Sequence, residues 1–277
     1  MKHLLCFGFG FSAEALARKL DPREWRVSGT SRSPEGVAAI NAQGFEGALF
    51  NELNSIPASV THIVTSVPQS DDGDPVLQQF SHELISRAKS FDWVAYLSTT
   101  GVYGDRAGAW VDEDSELQPN TDRGQRRVDA EAAWKQVADL PLHIFRLAGI
   151  YGPRRNAFES LKSGKAQRVI KQGQIFSRIH VEDIAGVLLA SINNPNPGRV
   201  YNLADDEPCP PQDVIAYAAE LLGLPIPPDI PFEDAKLSAM AKSFYADSKR
   251  VSNARIKNEL GYELKYPNYR VGLKALL

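Results

Sequence analysis

Gly8, Gly10 and Ala13 stand at the spacing Gly-x-Gly-x-x-Ala directly after the apolar run 3–7. At that spacing the first glycine permits a tight turn and the second lets backbone approach a pyrophosphate. The small third residue lets the following helix pack closely on the strand. Phe9, Phe11 and Ser12 complete the loop, and their amides are expected to face phosphate oxygens at a helix N-terminus. The pattern marks a dinucleotide site when a strand precedes it and a helix follows. Residues 3–7 read as that strand. Residues 12–20 read as the helix, with Ala13, Leu16, Ala17 and Leu20 on one face. A second piece of chemistry lies about twenty residues further on, where an acidic residue would bind the adenine ribose of NAD. The sequence there is Val27-Ser28-Gly29-Thr30-Ser31-Arg32, with no carboxylate. Ser31 and Arg32 are therefore expected at a 2′-phosphate, which makes the cofactor NADP(H) rather than NAD. A charge-assisted contact of that type contributes about 1.5–3 kcal/mol, roughly tenfold or more in affinity.

These residues need a scaffold, and the rest of the first half supplies one. Apolar runs at 25–30, 48–50, 62–66, 93–98 and 142–147 alternate with helical patterns at 34–42, 75–90 and 126–137. Asp74-Pro75 is a helix start, with aspartate as N-cap and proline at the first helical position. Such alternation means right-handed crossovers and a parallel sheet covered on both faces. The expected fold is α/β, a Rossmann-type doubly wound sheet of order 3-2-1-4-5-6. Its ligand crevice lies at the carboxyl ends of strands 1 and 4, where Ser66 is expected to touch the cofactor. After Gly149 the rhythm changes, and prolines cluster between Pro208 and Pro231. The expected division is a dinucleotide-binding domain at 1–150 and a smaller substrate lobe at 151–277. Within that lobe, 175–204 returns to the first domain and includes a strand at 200–203.

Composition narrows the function classes. The 277 residues are 43% hydrophobic and 23% charged, with 31 basic against 34 acidic residues and a net charge of −3. No strong positive field is present to hold nucleic acid or an anionic membrane. Cys6 sits in an apolar run and Cys209 among prolines, which suggests neither a disulfide framework nor a metal cluster. Asp71-Asp72-Gly73-Asp74 lacks the spacing and closing glutamate of a calcium loop, so no metal is expected. No apolar run reaches membrane-span length, and the first residues do not look like a secretory signal, so the expected location is the cytoplasm.

Five further segments, in order, carry a family resemblance. They are Leu97-Ser98-Thr99-Thr100-Gly101-Val102-Tyr103-Gly104, the run from Phe145 to Pro153, Ile179-His180-Val181-Glu182-Asp183-Ile184-Ala185, Val200-Tyr201-Asn202-Leu203, and Glu259-Leu260-Gly261-Tyr262. Over almost its whole length the chain resembles the extended branch of the short-chain dehydrogenase/reductase superfamily, which includes the NAD-dependent epimerases and dehydratases. The resemblance implies an oxidoreductase in which a Ser/Thr hydroxyl steers the substrate carbonyl. A tyrosine acts as acid/base, and a lysine four residues later holds the nicotinamide ribose. Thr99 matches the hydroxyl. The helix matches at Gly124 and Glu131, and that register places Arg123 at the tyrosine and Arg127 at the lysine; an alternative register gives Asp122 and Arg126. Neither restores the pair. An arginine stays protonated at any useful pH and cannot shuttle a proton, although Arg127 still has the charge and donors to hold a ribose. Tyr103 reads as a packing residue and His180 as a structural histidine.

In relatives the segment after Gly149 contacts the substrate. Here it is rich in basic residues, and Arg154, Arg168 and Arg178 are the expected substrate contacts. The expected ligand is anionic, of the nucleotide-sugar or another phosphorylated type. The leading expectation is an NADP(H)-dependent, epimerase/dehydratase-like oxidoreductase without the Tyr-x-x-x-Lys pair. The alternative is a dinucleotide-binding sensor without turnover. Relatives often dimerise through helices after strands 4 and 5, so a homodimer is a further expectation.

Overall fold

A computed structural model describes residues 1–277. Seven strands form one parallel sheet: β1 (Lys2–Phe7), β2 (Trp25–Ser31), β3 (Glu46–Leu49), β4 (His62–Thr65), β5 (Trp93–Thr99), β6 (Leu142–Leu147) and β7 (Val200–Leu203). Their order is β7-β6-β5-β4-β1-β2-β3. This is the doubly wound order read from the sequence, extended at one edge by β7. Strands β4 and β6 are buried at every position, as near-continuous apolar runs covered on both faces must be.

Four helices come from the first half of the chain: α1 (Phe11–Ala17), α2 (Pro34–Ala42), α3 (Pro75–Ser86) and α4 (Asp122–Lys135). Asp74 caps α3 as its sequence implies, accepting from the amides of Val76 at 2.9 Å and Leu77 at 3.2 Å. Helix α4 begins at Asp122, one turn before the expected 126. The Thr121 hydroxyl accepts from the Gly124 amide at 3.1 Å, and a capping threonine sets a helix start that side-chain periodicity cannot show. Strand β3 lies two residues earlier than expected, because Phe50 already belongs to a short 3₁₀ turn.

The chain forms two compact units whose segments interleave. The first contains Met1–Thr99, Arg126–Arg146 and Ile184–Tyr201; the second contains Thr100–Gln125, Leu147–Asp183 and Asn202–Leu277. In the first unit Phe7, Ile63, Phe80, Leu84, Tyr96 and Trp134 belong to one core between the sheet and its helices. The second unit is built from short paired strands and helices. Gly149–Tyr151 pairs with Arg178–His180, and Arg168–Ile170 with Asp229–Pro231. A core of Phe158, Cys209, Ala218, Tyr269 and Leu273 underlies its helices. Buried Asp183 clasps the C-terminal segment, accepting from the Tyr262 hydroxyl and the amides of Lys265 and Tyr266. No helix is long and apolar enough to cross a membrane.

Candidate functional site

The glycine turn is held by its neighbours on the sheet. Gly8 has φ +80°, a left-handed conformation that glycine adopts freely. Its amide donates to the Thr30 hydroxyl at 2.9 Å, and its carbonyl accepts from the Ser66 hydroxyl at 2.8 Å. The Phe9 amide donates to the Thr30 carbonyl at 3.0 Å, and the Gly10 amide to the Gly8 carbonyl at 2.9 Å. Those three amides are thus already engaged. The amides of Phe11, Ser12 and Ala13 open α1, lack partners one turn back, and receive no side-chain cap. The ring of Phe9 lies against Gly29 of β2, where a Cβ would come within 2.3 Å of it. Gly29 therefore sets the position of the turn.

Gly10 is the opposite case. Its backbone, at φ −100° and ψ −167°, suits any residue, and a Cβ there would meet no atom within 4 Å. Nothing inside the protein requires a glycine at this position. The open space beside uncapped amides is what a bound pyrophosphate needs.

After β2, two hydroxyls shape the next loop. The Ser31 Oγ accepts from the Ser33 amide at 3.3 Å, and the Ser33 Oγ caps α2 by accepting from the Gly36 amide at 3.2 Å. Arg32 between them is exposed and makes no ion pair within the chain. Its guanidinium is available to an anion from solution.

Helix α4 is docked on β5 by two charged side chains one turn apart. The Arg127 guanidinium donates to the Leu97 carbonyl at 2.9 Å and the Tyr96 hydroxyl at 3.1 Å, with its carbon 5.7 Å from the Tyr96 ring centre. Burial pushes the Tyr96 hydroxyl well above its usual range, against the pull of Arg127, so it stays a neutral hydrogen-bonding group. Glu131 accepts from the Ser98 hydroxyl at 2.6 Å and from Arg146 at 3.1 and 2.7 Å. Arg146 and Glu131 have side chains only 3% and 1% exposed. Thr99, half-buried, ends β5 next to Ser98. Arg123 is exposed in the first turn of α4, and Arg126 pairs with Asp71 at 2.5 Å.

No family model matches the chain. It is 56% identical to a conserved protein of unknown function from Silicibacter pomeroyi DSS, covering 100% of this chain and 98% of that one with a TM-score of 0.96. It is 28% identical to Protein YeeZ of Escherichia coli (strain K12), over 97% of each chain. A solved protein from Methylobacillus flagellatus, described as an NAD-dependent epimerase/dehydratase, is 26% identical over 99% of this chain and 97% of that one, with a TM-score of 0.76. The chain has the fold of the extended short-chain dehydrogenase/reductase proteins and is similar in sequence to one described as an NAD-dependent epimerase/dehydratase.

In the register expected from the sequence, the tyrosine–lysine positions of the resembled superfamily fall at Arg123 and Arg127, or in the alternative register at Asp122 and Arg126. Arg127 faces the end of β5, and Thr99 ends that strand, both within the first unit. Tyr103, Tyr151 and His180, from the matched segments, are in the second unit, and each has packing to do. Tyr103 is fully buried and donates to Asn202 at 2.7 Å. His180 accepts the Glu182 amide on Nδ1 at 3.2 Å, and its ring packs 4.0 Å from Tyr266 and 5.0 Å from Tyr151. The Tyr151 hydroxyl sits where a Cβ on Gly272 would be, 2.0 Å away.

The three arginines named for substrate separate. Arg178 lines a cavity of about 350 Å³ in the second unit, and Arg155 lines it as well. Arg154 is exposed on a turn at φ +65°, and Arg168 pairs with Asp229 at 2.5 Å.

The pinning residues Gly29 and Thr30 and the Glu131–Arg146 pair were not singled out from the sequence. One signal pointed to the pair: Arg146 is a lone charge inside the apolar run Leu142–Leu147, which demands a buried partner.

Proposed function

We propose that the chain is an NADP(H)-dependent oxidoreductase of the epimerase/dehydratase kind, acting on a small anionic compound, with arginines where the superfamily keeps its proton-transfer pair. The observation that carries this is Gly10, a glycine that the fold does not need, beside helix amides that no side chain caps. The turn fits a dinucleotide: Gly8 and Phe9 are tied to Thr30, leaving the amides of Phe11, Ser12 and Ala13 for phosphate oxygens. Arg32, exposed and without an acidic partner, supports NADP(H) over NAD.

A bound nicotinamide would supply hydride transfer. The chain's own part is to bind and orient. Arg127 is already fixed on Leu97 and Tyr96, and its remaining donors suit a ribose hydroxyl. The Thr99 hydroxyl offers a hydrogen bond to a substrate carbonyl. Arg123 keeps its proton at any useful pH, so a positioned general acid, worth about 10²–10⁴-fold, is not supplied at that position. The same arginine favours a second reading, a redox sensor that binds dinucleotide without consuming it.

Titration with NADPH and NADH tests the proposal. The wild type is expected to bind NADPH at least tenfold more tightly, and Arg32→Ala to erase the difference mainly by weakening NADPH. Equal wild-type affinities would remove the case for the phosphate. Oxidation of NADPH with a panel of carbonyl compounds, lost in Thr99→Ala, separates enzyme from sensor.

A further inference from the structure

The cavity of the second unit has a composition unlike that of a site for a large sugar nucleotide. Two arginines line it and no carboxylate does. Arg178 is pre-set: one terminal nitrogen donates to the Phe176 carbonyl at 3.1 Å, the Cys209 carbonyl at 3.4 Å and the Cys209 sulfur at 3.0 Å. Its other nitrogens make no bond within the protein, which leaves one edge of the guanidinium for an anion. Arg155 is exposed and forms no ion pair. Burial pushes the nearby Asp205 carboxyl up to about 8, against the pull of Arg178, so below that pH the Arg178 charge has no anionic partner there.

The remaining wall is largely apolar and aromatic, with Tyr151, Tyr245 and Tyr269 among its residues. Gln167 also lines the space, and its carbonyl oxygen is buried without a donor. Size completes the argument. At about 350 Å³ the cavity lies at the small end of the range for ligand sites, enough for a compact ring compound and small for a nucleoside diphosphate sugar of roughly three dozen non-hydrogen atoms.

We propose that this cavity binds a compact hydroxylated aromatic acid. Its carboxylate bridges Arg178 and Arg155, its ring lies among the three tyrosines, and its hydroxyl donates to Gln167. The claim concerns the second unit by itself and stands or falls separately from the dinucleotide reading.

Calorimetric titration of the full chain with 4-hydroxycinnamate, in the absence of dinucleotide, is the test. Binding below about 1 mM is expected, with a loss of tenfold or more for the neutral methyl ester and for Arg155→Ala. Arg178→Leu is expected to abolish binding. Because Arg178 also holds the Cys209 carbonyl, Arg155→Ala keeps the test open if that variant does not fold. Acid and ester binding equally, no binding of the acid at millimolar levels, an unchanged Arg155→Ala, or tighter binding of UDP-glucose would each overturn the proposal. NADPH titrated into the same sample reads the first unit independently.

Discussion

Glu131→Ala is expected to destabilise the protein by about 3–5 kcal/mol, the usual cost of stripping one partner from a buried ion pair. Both side chains are almost fully buried, with Arg146 giving Glu131 two hydrogen bonds at 3.1 and 2.7 Å. Removing the carboxylate leaves the guanidinium charged and buried, because arginine does not release its proton. It also leaves the Ser98 hydroxyl without the acceptor it reaches at 2.6 Å. The double replacement Glu131→Leu with Arg146→Met removes both charges together. It is expected to cost less than the sum of the single substitutions, by a coupling energy of at least about 1–3 kcal/mol. Urea unfolding of the four proteins measures this. A loss below about 1 kcal/mol for Glu131→Ala would contradict the buried pair. Glu131 also lies one turn from Arg127, so the same lesion should loosen the side chain assigned to the ribose.

The second large effect depends on pH. Burial raises the Asp205 carboxyl from 3.8 to about 8; Arg178 and the Glu207 amide oppose the shift, and Asp206 and Glu207 reinforce it. Oδ1 accepts from the Glu207 amide at 3.3 Å, and buried Oδ2 has no partner. The folded chain therefore holds a proton that the unfolded chain releases near 4. This contribution to stability is complete below the unfolded value, declines as pH rises, and is lost once pH passes about 8. At 1.36 kcal/mol per pH unit the window amounts to something of the order of 5 kcal/mol. Asp205→Asn cannot ionise, keeps the contact to the Glu207 amide, and swaps one unpartnered donor for another. Wild type and variant are expected to differ least near pH 4 and below, with the variant more stable by a few kcal/mol near pH 8.5. Parallel melting curves across that range would show that the carboxyl does not titrate as described.

How far the sequence could be read depended on whether a feature was local. The turn at Gly8–Ala13 and the Asp74-Pro75 start of α3 each lie within a few residues, and both formed as expected. The strand order followed from strand–helix alternation, because crossover handedness leaves few topologies. Contacts between distant segments were not legible. Gly29 looks like any glycine within a strand until Phe9 is found against it. Glu131 looks like a surface charge on a helix until α4 is laid over Arg146. The arginines after Gly149 show the same limit. Arg154 and Arg155 are adjacent in sequence, yet only Arg155 lines the cavity. A left-handed backbone at Arg154 redirects the chain there, and a turn has no period from which side-chain direction can be deduced.

The central claim, that the first amides of α1 hold a dinucleotide pyrophosphate, is tested most directly by calorimetry of NADPH against the wild type and Gly10→Ser. Serine suits the backbone at this N-cap and would take up helix amides through its own hydroxyl. Micromolar binding is expected in the wild type. In Gly10→Ser, an affinity at least tenfold weaker is expected, with an unchanged or higher melting temperature. Absence of NADPH binding to the wild type at millimolar concentration, or undiminished binding by the serine variant, would contradict it.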